Sequence, residues 1–180
     1  MKNIHLIYLR RFDIEKDLDL FHQVHSDPSS VKYYGMFPFS RFEQSRNMIN
    51  AYIDSEYKNK SIHRVICSQT TNKYMGEIGL FNINTTHHRA NAYCILLPEY
   101  RKRGISIEAS ILLYDEVFRT MQINRIQALV DCRNNTAKES LKGIGFSYEG
   151  KLSQYEFFDG EYIDMDLFAL LKENFYDRYF

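Results

Sequence analysis

The chain has 180 residues, of which 44% are hydrophobic and 15% aromatic, including 14 Tyr and 13 Phe. This apolar content excludes a disordered chain, and its scattered distribution predicts no membrane span and no membrane partner. Lys plus Arg and Asp plus Glu both number 23, so no net charge favours nucleic acid as a partner. We predict one domain over residues 1–180, in which a local cluster binds any charged ligand.

Residues 4–9 form a short apolar stretch that predicts the first strand. Arg10 and Arg11 follow this stretch, whereas the basic residues of a signal peptide precede its apolar part. The stretch is also too short for a signal peptide, so we expect a cytoplasmic protein. Asp13 predicts the start of a helix, and residues 26–38 a loop after it. The helix has apolar positions at helical spacing, namely Ile14, Leu18, Phe21 and Val24. Ser40 and Glu43 form a capping-box pattern before a second helix.

Residues 61–97 are rich in Val, Ile, Tyr and Phe and are interrupted by turn residues. They predict a three-stranded antiparallel meander over residues 62–68, 74–82 and 89–97. Helical spacing then returns, and it predicts a long amphipathic helix. Its apolar stripe consists of Ile107, Ile111, Tyr114, Phe118 and Met121.

The last third of the chain predicts a strand over residues 125–131 and a short helix over 135–143 that ends at Gly145. Two long strands follow, and Asp159-Gly160 is a hairpin turn between them. The complete order predicts an α/β fold with a mixed, mostly antiparallel central sheet of about seven strands and helices on both faces. The aromatic tail, residues 175–180, is apolar enough to pack on its own sheet or on a partner, which leaves a homodimer open.

No metal site is predicted from the cysteine and histidine pattern. Cys67, Cys94 and Cys132 stand singly, without the paired spacing of a zinc or redox site, and we interpret them as reduced core residues. The adjacent His87 and His88 cannot easily direct both rings at one ion.

A basic turn, residues 101–106, lies between a predicted strand and the long helix. Arg101, Lys102 and Arg103 precede Gly104, so basic side chains and the N–H groups of a helix N-terminus converge on one small volume. This arrangement suits a pyrophosphate, and Gly104 allows the backbone to approach it closely. A solvated basic turn is the alternative.

Arg101 to Ser106 resembles the R-x-x-G-x-G/A motif of the GNAT N-acetyltransferases. Asn134, followed by Gly145-Phe146, resembles a second motif of that family. The similarity extends over nearly the whole chain and is greatest to the branch of ribosomal-protein N-terminal acetyltransferases and bacterial spermidine N-acetyltransferases. It implies an N-acetyltransferase that moves the acetyl group of acetyl-CoA to a primary amine, either a small amine or polyamine or a peptide N-terminus, by direct attack.

The resemblance also implies the residues that hold the cofactor. The basic turn surrounds the CoA pyrophosphate, Leu96 and Leu97 offer backbone groups to the pantetheine, and the segment after the next strand contacts the cofactor arm. The complete set is Leu96, Leu97, Arg101, Lys102, Arg103, Gly104, Ile105, Ser106, Ile107, Asn134 and Lys138.

The chain departs from the family at the acid and the base. Leu141 stands where relatives carry a Tyr, Ala137 where they carry a Ser, and Asn91 where they carry a Glu. The candidate catalytic replacements are Ser140, Tyr93 and Glu77. Tyr93 has the alternative of a core aromatic, and Glu77 that of a solvent-facing strand residue. An acyl-CoA-binding protein of the same fold without turnover therefore remains an alternative, as does an unrelated nucleotide-binding α/β protein.

The candidate acceptor contacts are aromatic rather than acidic. The run 33–39 supplies Tyr34, Met36 and Phe37, and the first hairpin strand supplies Tyr155. This run argues against a purely electrostatic polyamine site and has the alternative of a hydrophobic plug under the first two helices. Acidic residues gather near the C-terminal hairpin, namely Glu149, Glu156, Asp159, Glu161 and Asp164.

Overall fold

The computed structural model describes residues 6–180. Its strands are β1 (Ile7–Arg10), β2 (Ile62–Ser68), β3 (Tyr74–Asn84), β4 (Arg89–Leu96), β5 (Arg125–Asp131), β6 (Ser147–Phe158) and β7 (Glu161–Leu171). Its α-helices are α1 (Ile14–Ser26), α2 (Pro28–Val31), α3 (Phe42–Tyr57), α4 (Ile105–Thr120), α5 (Asn135–Ile144) and α6 (Lys172–Tyr179). None of these helices is both long and apolar enough to cross a membrane.

The seven strands form one sheet in the order β1-β2-β3-β4-β5-β7-β6. Every neighbouring pair is antiparallel except β4 and β5, which run parallel. The predicted mixed sheet of about seven strands is therefore confirmed. The single parallel pair follows from α4, because a chain that leaves β4 and returns in the same direction needs a crossover helix.

Each face of the sheet is covered by its own helices, because successive strand residues point to opposite sides. Ile66 and Ile78 pack with Leu113 of α4 and Leu141 of α5, and this side is called the α4 face. Val65, Cys67 and Ile95 pack with Val24 of α1, and Tyr52 of α3 stacks on His63 of β2. This second side is called the α1 face.

Several local predictions are confirmed residue by residue. β2 and β5 have the predicted bounds, and Asp13 caps α1 by accepting a hydrogen bond from the Glu15 N–H. Gly145 ends α5 with φ 109°. Asp159 and Gly160 both have positive φ, as the tight hairpin turn between β6 and β7 requires.

The loop predicted over residues 26–38 contains a helix, α2, so that part of the prediction is wrong. Asp27 caps α2 and Pro28 occupies its first turn, a sequence pattern that favours helix initiation. The predicted Ser40–Glu43 capping box is also wrong. The N-cap of α3 is Arg41, one residue after Ser40. The side chain of Gln44 accepts hydrogen bonds from the backbone N–H groups of Ser40 and Arg41.

Two terminal predictions change as well. Only part of the first predicted strand is described, since residues 4 and 5 lie outside the described range, and β1 extends to Arg10. The long helix begins at Ile105 and ends before Met121. Tyr114 and Phe118 of the predicted stripe are buried, whereas Ile107 and Ile111 are only partly buried. The other buried apolar positions of the helix are Ile105, Ala109, Leu113 and Val117.

The aromatic tail forms α6 and packs on its own chain rather than standing free. Phe175 is fully buried, with its ring 5.3 Å from that of Phe118 in α4. The Tyr179 hydroxyl donates to the Ile144 carbonyl at 2.9 Å. The tail therefore ties α6 to both α4 and the end of α5.

Phe175→Ala is expected to lower the free energy of unfolding by about 3–5 kcal/mol, because it leaves a cavity in the core. Phe180→Ala is the matched control, since Phe180 is 73% exposed, and its cost is expected to stay within about 0.5 kcal/mol. Urea unfolding measures both variants. Equal costs would contradict the docking of α6.

Candidate active site

A cleft opens in the middle of the sheet because β4 and β5 pair over only a short distance. Their parallel pairing joins residues 89–91 to residues 125–127. β4 then continues to Leu96 and β5 to Asp131 without further pairing between them. Beyond Asn91, β4 has no strand partner in β5, and its Cys94 and Leu96 carbonyls accept hydrogen bonds from the side chains of Tyr34 and Arg101 instead.

The basic turn lies at the end of β4 and leads into α4. Lys102 and Gly104 both have positive φ, and Gly104 stands at the N-terminal cap of α4 with φ 76°. A Cβ built on Gly104 has no atom within 4 Å, so the space beside it is open. Lys102 and Arg103 are exposed. An anion at this place meets first-turn N–H groups together with two free-standing cationic side chains.

Arg101 does not share that exposure, because its guanidinium is bound to the protein. Nε donates to the Leu96 carbonyl at 3.1 Å, and the terminal nitrogens donate to the hydroxyls of Ser29 and Ser30. Asp27 lies 3.7 Å from the same guanidinium and accepts both serine hydroxyls. The side chain of Arg101 thus joins α2 to the end of β4, and its place beside the pyrophosphate stays a prediction.

Asn134 and Lys138 also have partners in the protein. The Asn134 side chain caps α5 by accepting the Ala137 N–H at 3.1 Å. Lys138 Nζ donates to the Cys132 carbonyl at 2.7 Å and lies 3.2 Å from Asp166. Both residues lie at the start of α5, beyond the end of β5.

Ser140 lies on the α4 side and away from the other two catalytic candidates. Its hydroxyl is 3.0 Å from the hydroxyl of Ser106 in the first turn of α4. Leu141, the next residue, is buried in the core of the α4 face, as its apolar side chain requires. The structure therefore places Ser140 beside the basic turn.

Tyr93 lies on the α1 face, among other aromatic and polar side chains. Its hydroxyl is 2.8 Å from His63 Nδ1, and the His63 ring stacks on Tyr52 at 3.7 Å. Gly79 permits this packing, since a Cβ there would lie 2.5 Å from the Tyr93 ring. Burial raises the pKa of Tyr93 well above its usual value, with Glu77 adding to the effect.

Asn91 faces the same side as Tyr93, at the point where the strands part. Its Oδ1 accepts Gln127 Nε2 at 3.0 Å, and Gln127 Oε1 accepts Arg125 Nε at 3.1 Å. Arg125 is in turn paired with Glu149 at 2.5 Å. The side-chain amide of Asn91, bonded to that of Gln127, thus occupies the position where relatives were expected to carry a carboxylate.

Glu77 is fully buried, which contradicts its interpretation as a solvent-facing residue. Its Oε1 lies 3.0 Å from Nε2 of His25, on α1, whose side chain is also buried. Burial raises the pKa of Glu77, and the His25 bond opposes that shift. Sequence reasoning missed His25, because the two residues are 52 positions apart and no local pattern links them.

The aromatic loop, residues 33–39, is divided between an inner and an outer side. Met36 packs against the apolar cluster of the α1 face, and the Phe39 ring stacks on His25 at 5.3 Å. Met36 is therefore partly buried, and its predicted contact with the acceptor stays a prediction. Phe37 is 63% exposed and its ring lies 4.7 Å from Phe158, while the Tyr34 hydroxyl donates to the Cys94 carbonyl.

The loop and the β6–β7 hairpin therefore meet across the cleft. A Cβ on Gly35 would lie 3.4 Å from Glu156 Oε2. Tyr155 is exposed on the same hairpin strand. Most of the predicted acidic cluster is neutralised, since Glu149 pairs with Arg125, Asp164 with Lys151 and Glu161 with Arg133. Over residues 6–180, Glu156 and Asp159 keep no such ion pair.

The cysteines form no disulfide with one another, and Cys67 is fully buried. Within the described range, no three His, Cys, Asp or Glu side chains come together as metal ligands would.

A family model described as "Acetyltransferase (GNAT) domain" matches residues 7–147. The uncharacterized N-acetyltransferase p20 of Bacillus licheniformis is 31% identical over 167 residues, covering 93% of each chain. The spermidine N(1)-acetyltransferase of Escherichia coli is 28% identical over 162 residues, covering 90% of this chain and 84% of that protein.

A solved ribosomal L7/L12 alpha-N-protein acetyltransferase in complex with coenzyme A has a TM-score of 0.82 to this chain. It is 19% identical, and the match covers 92% of this chain and 94% of that one. At that identity the similarity shows a shared fold.

His63 generates a pH prediction, because burial lowers its pKa to about 4, with Arg64 adding to the effect. A histidine in the unfolded chain has a pKa of about 6.5. The free energy of unfolding is therefore expected to fall as the pH drops from about 6.5 to about 4. Urea unfolding at neutral and mildly acidic pH should show a smaller loss for His63→Gln than for wild type. An equal loss in both proteins would rule out this contribution.

Proposed function

This chain belongs to the GNAT acetyltransferase family, and we propose that it transfers the acetyl group of acetyl-CoA to a primary amine. The observation that carries the proposal is the parting of β4 and β5 beside an open helix N-terminus. One end of the cleft suits a pyrophosphate, and in its middle β4 and β5 are not paired with each other. A thioester and an amine can meet there in a ternary complex.

Backbone and basic groups at the end of β4 would hold the cofactor. Lys102 and Arg103 and the first-turn N–H groups of Ile105, Ser106 and Ile107 would face the pyrophosphate. Leu96 and Leu97 would border the pantetheine at the end of β4, where the Leu96 carbonyl already accepts Arg101 Nε and the Leu97 N–H donates to the Met75 carbonyl. Asn134, Lys138 and Ser140 would border the cofactor from α5.

The reaction needs no covalent enzyme intermediate. The amine nitrogen attacks the thioester carbonyl carbon, the C–N bond forms, the C–S bond breaks, and the thiolate takes up a proton. Holding both reactants in one cleft supplies much of the acceleration, since correct positioning lowers the entropic part of the barrier. Ser140 lies on the cofactor side, beside Ser106, and Tyr93 borders the acceptor side through its bond to His63.

The acceptor side favours an amine with an apolar body. Tyr34, Phe37 and Tyr155 are exposed aromatic rings around the opening, and Glu156 is the nearby carboxylate without an ion pair among the described residues. A polyamine carries several ammonium groups and gains most from several free carboxylates. The aromatic opening therefore supports a small amine with an apolar group, or a peptide N-terminus, before a polyamine.

Gly104→Glu is expected to weaken acetyl-CoA binding by about tenfold or more, because a carboxylate then stands where the pyrophosphate would bind. Gly160→Glu is the matched control, since Gly160 also has positive φ and open space but lies in the hairpin turn. Isothermal calorimetry with acetyl-CoA measures both variants. Equal affinity of Gly104→Glu and wild type would refute the placement of the cofactor.

Amine-dependent release of free CoA thiol tests the reaction itself. We expect release with phenethylamine and with peptides that begin with an apolar residue to exceed release with spermidine at equal concentration. Phe37→Ser should raise the KM for phenethylamine several-fold, because it removes part of the aromatic opening. Acetyl-CoA binding without release for any amine would favour the acyl-CoA-binding alternative.

A further inference from the structure

Four acidic side chains are buried within residues 6–180, and one of them differs from the rest in its partner. Asp17 pairs with Arg10, Asp131 with Arg133, and Asp166 with Lys138. Each of those carboxylates faces an Arg or Lys side chain. Glu77 instead faces the imidazole of His25.

Glu77 lies on β3, the strand next to the one that borders the cleft. Its position on β3 is opposite Ile95 of β4, beyond the point where β4 leaves β5. Its side chain points to the α1 face, on which the aromatic loop and the hairpin meet. Oε2 of Glu77 and Nδ1 of His25 are both buried without a hydrogen-bond partner among the described residues. A buried carboxylate oxygen without a partner is costly, so its retention calls for a reason.

We propose that Glu77 accepts the proton of the attacking amine, directly or through one water molecule, and that His25 is its positioning residue. This inference rests on the proposed acetyl transfer. The proton acceptor is then on β3 and its positioning residue on α1, since the amide of Asn91 on β4 cannot act as a base.

The proton balance is complete with the groups named. An ammonium group gives one proton to the Glu77 carboxylate, which becomes a neutral carboxylic acid, and the nitrogen keeps its electron pair. That pair forms the C–N bond, the C–S bond breaks, and the second proton of the nitrogen passes to the departing thiolate. Glu77 returns its proton to solvent after the products leave.

The tyrosines, the thiol and the second histidine around Glu77 keep one charge state near neutral pH, which leaves Glu77 as the proton acceptor. Burial raises the pKa values of Tyr52, Tyr74 and Tyr93, and Glu77 raises them further, so these hydroxyls stay neutral. The hydroxyl of the more exposed Tyr34 donates to the Cys94 carbonyl. Burial likewise raises the pKa of the Cys94 thiol to about 12. Asp17 on α1 is held by Arg10, and His63 on β2 stays uncharged, since its pKa is lowered to about 4.

The test compares the pH dependence of kcat for wild type, Glu77→Gln, His25→Asn and the control His22→Asn. His22 lies on the same helix, and its ring contacts the Ser45 hydroxyl rather than Glu77. Thiol release is followed from about pH 5 to pH 9, with an amine that wild type acetylates. Melting temperature and acetyl-CoA affinity are measured on the same preparations.

In wild type, kcat should rise with pH through an acidic limb that reports ionisation of Glu77. Glu77→Gln should lower kcat by about 100-fold or more and abolish the limb, with acetyl-CoA affinity unchanged. His25→Asn should move the limb to higher pH by about one unit, because the bond that lowers the pKa of Glu77 is lost. His22→Asn should leave the limb in place.

Two results would overturn the inference: kcat of Glu77→Gln within about threefold of wild type, or an unmoved limb in His25→Asn. If Glu77→Gln fails to fold, His25→Asn decides alone, since it keeps the carboxylate. A wild type without amine-dependent thiol release overturns the proposed function instead, before any variant is compared.

Discussion

The short parallel pairing of β4 and β5 determines the rest of the site. A parallel pair that continued past Asn91 and Gln127 would close the sheet and consume the strand edges. Past that point the carbonyls of Cys94 and Leu96 accept hydrogen bonds from the Tyr34 hydroxyl and from Arg101 Nε instead of from a strand, so side chains of the aromatic loop and the basic turn border the cleft. The glycine-bounded turn at the end of β4 and the crossover helix α4 then fix the direction from which an anion approaches that cleft.

The two faces of the sheet supply different chemistry to this opening. On the α4 face, the cleft ends in backbone donors, basic side chains and two serine hydroxyls. On the α1 face, neutral tyrosines and a neutral histidine surround one carboxyl–imidazole pair, which lies in an environment of low polarity. A charged ligand is favoured at the first face, whereas proton exchange is confined to one pair at the second. The overall charge of zero is thus the sum of unlike regions.

The fold was largely predictable because its signals are local. The hairpin turn at Asp159, the helix end at Gly145 and the strand composition of β2 each depend on a few neighbouring residues. The family motif placed the basic turn correctly. What local patterns could not supply were contacts between distant segments: Glu77 with His25, Arg101 with Ser30, and α6 with α4. The start of α2 did carry a signal, Asp27-Pro28, that composition alone classified as loop.

Arg101 connects two segments of the site through its contacts with Leu96 and with residues 27–30. Its guanidinium is the shared support of α2, which begins the aromatic loop, and of Leu96, which ends β4. A ligand that displaces either segment must therefore disturb the other through one side chain. By thermodynamic linkage, any such effect is mutual: the factor by which one ligand changes the affinity of the second equals the factor in the reverse direction. The two sides of the cleft are thus joined through the side chain of Arg101.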